Sequence, residues 1–135
     1  MAAADYDKML FERAATMLRV QGIISIVFGG LGVLCGLLIM LAFGVGAMAE
    51  YTAHSAIGSV IFGLMVFIFF VLPHLYLVIA GTTLLRQPQP SVARTLTIIN
   101  LVVGVFWNLI VLIFAIISLT QSGDYERHYP KKKEK

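Results

Sequence analysis

Charge is what this chain has least of. Asp, Glu, Lys and Arg make up 13% of its 135 residues, about half the share found in water-soluble domains, and mean hydropathy is +0.91. A soluble core of this size could not hide so much apolar surface. Cysteine is almost missing as well. The single Cys35 excludes an internal disulfide and reads as a small hydrophobe. Three long runs, residues 20–49, 51–85 and 95–123, carry no charged side chain at all. Each is long enough to cross a bilayer once, and none twice as full helices. With every carboxylate outside them, a proton- or ion-coupled transporter is disfavoured. There is no Gly-rich phosphate loop, no His and carboxylate set at metal spacing, and no Ser/His/Asp or Cys/His arrangement that could meet on one face. No enzyme, metal site or nucleic-acid partner is expected. The net charge of +3 comes from the ends and one loop, which makes it a topology and headgroup signal.

What is present is apolar helix with small residues at helical spacing. The first span, 20–49, places Gly22, Ser25, Gly29, Gly32 and Gly36 on one face, where a second backbone can approach closely. It is too long for a signal-peptide core, so it is expected to remain in the mature chain. Ahead of it, residues 4–19 form an amphipathic interfacial helix, continuous with the span. Lys8 and Glu12 are spaced to pair, and Tyr6, Met9, Leu10, Phe11, Met17 and Leu18 meet the membrane surface. The second span, 55–85, repeats the small-residue step at Ser55, Ser59 and Gly63, which predicts packing of its first half against the first span. Pro73 lacks an N–H and crowds the Phe69 carbonyl, so the helix is expected to kink there. His74, next in sequence, is the one ionisable group near mid-membrane. It reads as a packing residue bonded to a carbonyl or to Asn100 or Asn108; its alternative is an axial ligand for a haem or chlorin, while no cofactor at all is the favoured expectation. Two prolines in the polar stretch 86–91 end the second span.

The third run, 95–120, has its own stripe of Thr97, Asn100, Gly104, Val111, Ala115 and Ser118, with Asn108 a turn beyond Gly104. Amides in hydrocarbon need partners, so Asn100 and Asn108 are expected to face other helices. Residues 121–135 read as a flexible basic tail. The string Leu77-Val78-Ile79-Ala80-Gly81-Thr82-Thr83-Leu84-Leu85-Arg86, then Ala93-Arg94-Thr95-Leu96, then Ile117-Ser118-Leu119 with Tyr125 beyond, together with the Gly29-Gly30 pair, resembles small multi-span integral membrane proteins common in bacteria. That resemblance implies a multi-helix membrane fold in the bacterial inner membrane and no catalytic residues. The terminal Lys132-Lys133-Glu134-Lys135 has the form of a dilysine retrieval signal in a eukaryote and of a headgroup-binding tail in a bacterium. The resemblance favours the second.

The fold class read from these features is an all-α integral membrane protein, residues 1–135 forming one membrane domain with three long transmembrane helices. The alternative keeps two spans and makes 95–120 a re-entrant helical hairpin turning near residues 104–108. Lys and Arg divide evenly between the two faces with three spans, and all 10 fall on one face with the hairpin. The unbroken stripe favours three spans, because a turn at membrane depth leaves costly unsatisfied backbone groups. The functional reading is a small accessory or structural subunit acting through helix–helix contact, with copies of itself or other membrane subunits as partners beside the bilayer, and anionic headgroups on the tail. The rival is a small oligomeric pore or carrier lined by Asn100, Asn108, Thr97, Thr83 and His74.

Overall fold

The computed structural model describes residues 3–49 and 53–130. Among these the elements are all helical: α1 (Ala3–Ala49), α2 (Ala53–Val66), a π turn (Phe67–Val71), α3 (Leu72–Leu85), α4 (Pro90–Trp107) and α5 (Leu109–His128). Four helical stretches are long and apolar enough to cross a membrane: Ala3–Gly46, Ala56–Leu85, Pro90–Trp107 and Leu109–His128.

Local chemistry explains the boundaries. No proline interrupts α1, which runs for 47 residues. The π turn sits immediately ahead of Pro73, where the Leu72 N–H reaches back five residues to the Phe67 carbonyl. Proline can neither donate to Phe69 nor tolerate its carbonyl close by, and a widened turn absorbs both problems without ending the helix. α3 ends where Gln87 takes a left-handed φ of 51° and its N–H bonds to the Leu84 carbonyl at 3.2 Å. Pro88 follows with no N–H to extend the ladder. α4 then opens with Pro90 in its first turn, a position where the missing donor costs nothing.

The helices sort into two compact units, Met1–Ile26 with Ala80–Lys135, and Val27–Ile79. In the first, α4 and α5 form a helical hairpin. They turn at Asn108, the one residue between them, which adopts an extended conformation. Gly104 lies against Leu112, so close that a methyl group there would sit 2.6 Å from the Leu112 nitrogen. At the open end the Tyr125 hydroxyl donates to the Pro88 carbonyl at 2.8 Å, which ties the last turns of α5 to the start of α4. The early part of α1 closes this unit. Ala14, Ala15 and Leu18 are buried with Leu84, Ala93 and Tyr125, and Phe11, Leu96 and Tyr129 pack on them. Phe11 stacks on the Tyr125 ring with centroids 5.4 Å apart.

Three expectations change here. The run 95–120 is two helices, not one continuous span, because the Asn108 side chain caps a new helix and reverses the chain. Residues 121–128 belong to α5, not to a flexible tail, because Tyr125 anchors them. The amphipathic segment 4–19 is continuous with α1 as expected, but Leu18 is buried and Phe11 half-buried against protein; Tyr6 and Met9 are exposed. Lys8 and Glu12 do approach, at 3.9 Å, with both side chains in solvent, a pairing of little energetic weight.

In the second unit α1 pairs with the α2–α3 segment in antiparallel register. Gly29 meets the backbone of His74 and Val78 and the side chain of Leu77, and Gly36 meets Val71 and Phe70. Near the other end of the unit the Phe43 and Phe62 rings lie 4.3 Å apart.

Candidate functional site

The most distinctive chemistry of the first unit is a seam of neutral polar side chains inside an apolar helix packing. Gln21 and Ser25 stand one turn apart on α1; Thr97 and Asn100 stand one turn apart on α4. All four are buried. The Asn100 amide donates to the Ser25 hydroxyl at 3.2 Å. Thr97 gives its hydroxyl proton to the Ala93 carbonyl at 2.8 Å and lies 3.4 Å from the Gln21 carboxamide oxygen. Interhelical hydrogen bonds of this kind average about 0.6 kcal/mol in membrane proteins, so the seam sets the rotation and height of α4 on α1 more than it stabilises them. Gly22, one residue past Gln21, lets α3 come close. A methyl there would sit 2.8 Å from the Gly81 carbonyl oxygen, and one at Gly81 would sit 2.5 Å from that of Gly22. Gln21 Nε2, Asn100 Oδ1, Ser118 Oγ and Gln121 Oε1 are buried with no hydrogen-bond partner among the described residues. Such atoms mark where internal water would be held.

The hairpin apex is the second feature. Asn108 Oδ1 accepts from the Ile110 and Val111 amides at 3.0 and 3.2 Å. The Asn108 N–H reaches the Gly104 carbonyl and the Leu112 N–H reaches the Asn108 carbonyl, each at 3.0 Å. Around this satisfied turn the surface is apolar and open: Phe106 is 72% exposed and Leu109 68%. Asn108 is thus a helix cap and not the interhelical amide the sequence suggests. An amide this close to its own following N–H groups satisfies them before it can reach another helix.

In the second unit His74 is buried. Its Nδ1 lies 2.7 Å from the Phe70 carbonyl, and since a carbonyl only accepts, that nitrogen carries the proton. The ring fills the space that Gly32 leaves, where any side chain would overlap it, and tilts against Phe70 with centroids 4.6 Å apart. A flat macrocycle would need the groove that the imidazole itself occupies.

The residues singled out from sequence therefore divide. Gly22, Gly29, Gly32 and Gly36 all serve close contacts, the first three with α3 and Gly36 with the π turn, and Ser25 and Asn100 meet each other. Gly104 works inside the hairpin. Gly63 has no atom within 4 Å of where a methyl would stand, nor has Gly58, so α2 does not pack on α1 through its glycines; the Phe43 and Phe62 rings meet there instead. Ser59 is half-buried, and the side chain of Ser55 lies outside the described residues, as do Lys131, Lys132, Lys133 and Lys135. Gln21 does not figure among the sequence candidates, and Tyr125 figures there only within the resemblance. Gln21 could have been one, as the amide one helical turn before Ser25 at the edge of a charge-free run.

Among the described residues no group of three His, Cys, Asp or Glu could hold a metal ion. Compared with protein-family models, curated proteins and solved structures, the chain matches none. The resemblance to small bacterial membrane proteins therefore rests on the sequence strings alone.

Proposed function

We propose that this chain is a small structural subunit of a membrane assembly, built from two spans and a helical hairpin that enters and leaves the bilayer on one side. The observation that supports the hairpin is its apex. A connection between two full spans would end in water and be polar, whereas this one is a single residue between Trp107 and Leu109, with Phe106 and Leu109 open around it. The charge-free part of α4, Thr95 to Trp107, rises ~20 Å and that of α5, Leu109 to Gly123, ~22 Å, at about 1.5 Å per residue. These fall short of the ~30 Å hydrocarbon core, which the whole helices cross only with their charged ends included. The objection to a mid-membrane turn, unsatisfied backbone, is met by the Asn108 carboxamide.

The subunit role is supported by which small residues are used. The glycine face of α1 is taken up by α3 and the π turn, while Gly63 of α2 presents a face with no atom within 4 Å of where a methyl would stand, next to the exposed apolar face of Ile57, Val60, Ile61 and Leu64. In lipid such a face offers close approach to another helix. The pore reading is less well supported, since Thr97 and Asn100 are drawn into the polar seam and Asn108 into a cap. The experiment compares Gly63→Leu with wild type in mild detergent. Loss of co-purifying subunits or of self-association, with helicity unchanged, is expected. Unchanged partners and oligomer size would overturn the subunit reading.

A further inference from the structure

Where α1 enters its apolar run, α3 leaves its own and α4 begins, the bounding charges are arginines, while Asp124 bounds α5. Arg19 is the last charge before the long apolar part of α1, Arg86 the first after α3, and Arg94 the last before the apolar part of α4. The fold gathers them. Leu18, Leu84 and Ala93, each one or two residues from one of these arginines, belong to the same buried cluster. All three arginines are exposed. Among the described residues the one ion pair is Lys8 with Glu12, so no carboxylate neutralises any of them. With the Gln87 carboxamide turned so that its oxygen faces Arg19, the guanidinium donates to it at 2.9 and 3.2 Å, a neutral partner that fixes the side chain over the turn without cancelling its charge. The neighbouring carboxylates of α1, Asp5, Asp7 and Glu12, lie further from the apolar run than Arg19. On α5 Asp124 and Glu126 flank the buried Tyr125.

We propose that Arg19, Arg86 and Arg94 form a collar that binds an anionic phospholipid headgroup where the apolar helices leave the hydrocarbon. The depth fits, because the phosphate layer begins where the charge-free runs stop. So does the chemistry: a guanidinium is planar, always charged and presents paired donors matched to phosphate oxygens. Phe11, Tyr125 and Tyr129 pack together at the same end, as aromatic side chains do at a membrane interface. The lipid is held by this ordered ring rather than by the terminal lysines. The site needs only that this end lies at a bilayer surface, and is independent of how deep the hairpin reaches.

The test uses the full chain in a neutral detergent, titrated with phosphatidylglycerol or phosphatidylcholine and followed by native mass spectrometry. Phosphatidylglycerol should be retained in preference. Each of Arg19→Gln, Arg86→Gln and Arg94→Gln should weaken that retention about fivefold, and the triple variant should abolish the preference. Lys131→Gln, Lys132→Gln and Lys133→Gln together should leave it intact. Millimolar inorganic phosphate should not displace the lipid. The proposal is overturned if the single arginine variants keep the wild-type preference, if the lysine variant loses it, or if free phosphate competes. The single variants decide the matter even where the triple variant loses its fold, which elution volume and helicity report.

Discussion

At the scale of single residues, Asn108 does the most with the fewest atoms. Its extended backbone reverses the chain, and its carboxamide oxygen satisfies two of the first amides of α5. Replacing an N-cap Asn by a residue without an acceptor costs about 1 kcal/mol in water, and the orphaned amides would be more costly in hydrocarbon. Asn108→Leu should therefore speed hydrogen exchange at Ile110 and Val111, whereas Asn108→Ser, which keeps an acceptor, should protect them. Equal exchange in both variants would mean that the side chain does not hold the turn. The role was readable in principle, since Asn is a favoured helix cap. It was masked by company: inside an uncharged apolar run, an amide invites a search for a partner on another helix.

At the scale of elements, the stripe on residues 97–118 shows how far spacing goes. Thr97, Asn100, Gly104, Val111, Ala115 and Ser118 are all buried, as their period implies. The step from Gly104 to Val111 is close to two helical turns, so a hairpin pivoting at Asn108 and one unbroken helix give the same pattern. Period reports which side is inward and is blind to a reversal of direction. The glycines of α1 were legible for a similar reason, while their partner was not, because a small-residue face is generic. Substitution separates the two kinds of glycine. Gly104→Leu collides with the Leu112 backbone and should abolish the folded hairpin, read as lost helicity and lowered thermal stability. Gly30→Leu, with open space around it, should leave both within experimental error.

For the molecule as a whole, the hairpin changes the balance of charge. On the proposed reading, in which α4 and α5 return to the side they left, the 10 Lys and Arg of the sequence would share one face of the membrane, the cytoplasmic one under the positive-inside rule. Single cysteines introduced as Ala3→Cys and Lys133→Cys, on a Cys35→Ala background, should then react alike with a membrane-impermeant reagent in intact cells. Accessibility at one and protection at the other would restore a third full span. From sequence alone the stripe favours three spans over the charge count, which points the other way, and the stripe's ambiguity is the hidden one.

Trp107, the single tryptophan of the chain, stands next to Asn108, at the tip of the hairpin. The protein thus carries its own optical depth gauge. Indole emission shifts to the blue as water is removed, and bromine atoms on lipid chains quench it according to how near they lie. In vesicles, lipids brominated near the middle of the acyl chain should quench Trp107 more strongly than lipids brominated close to the headgroup, with emission at the blue end of the indole range. Strongest quenching from the headgroup-proximal label would place the tip at an aqueous surface and make α4 and α5 full spans. No label need be attached and no residue changed.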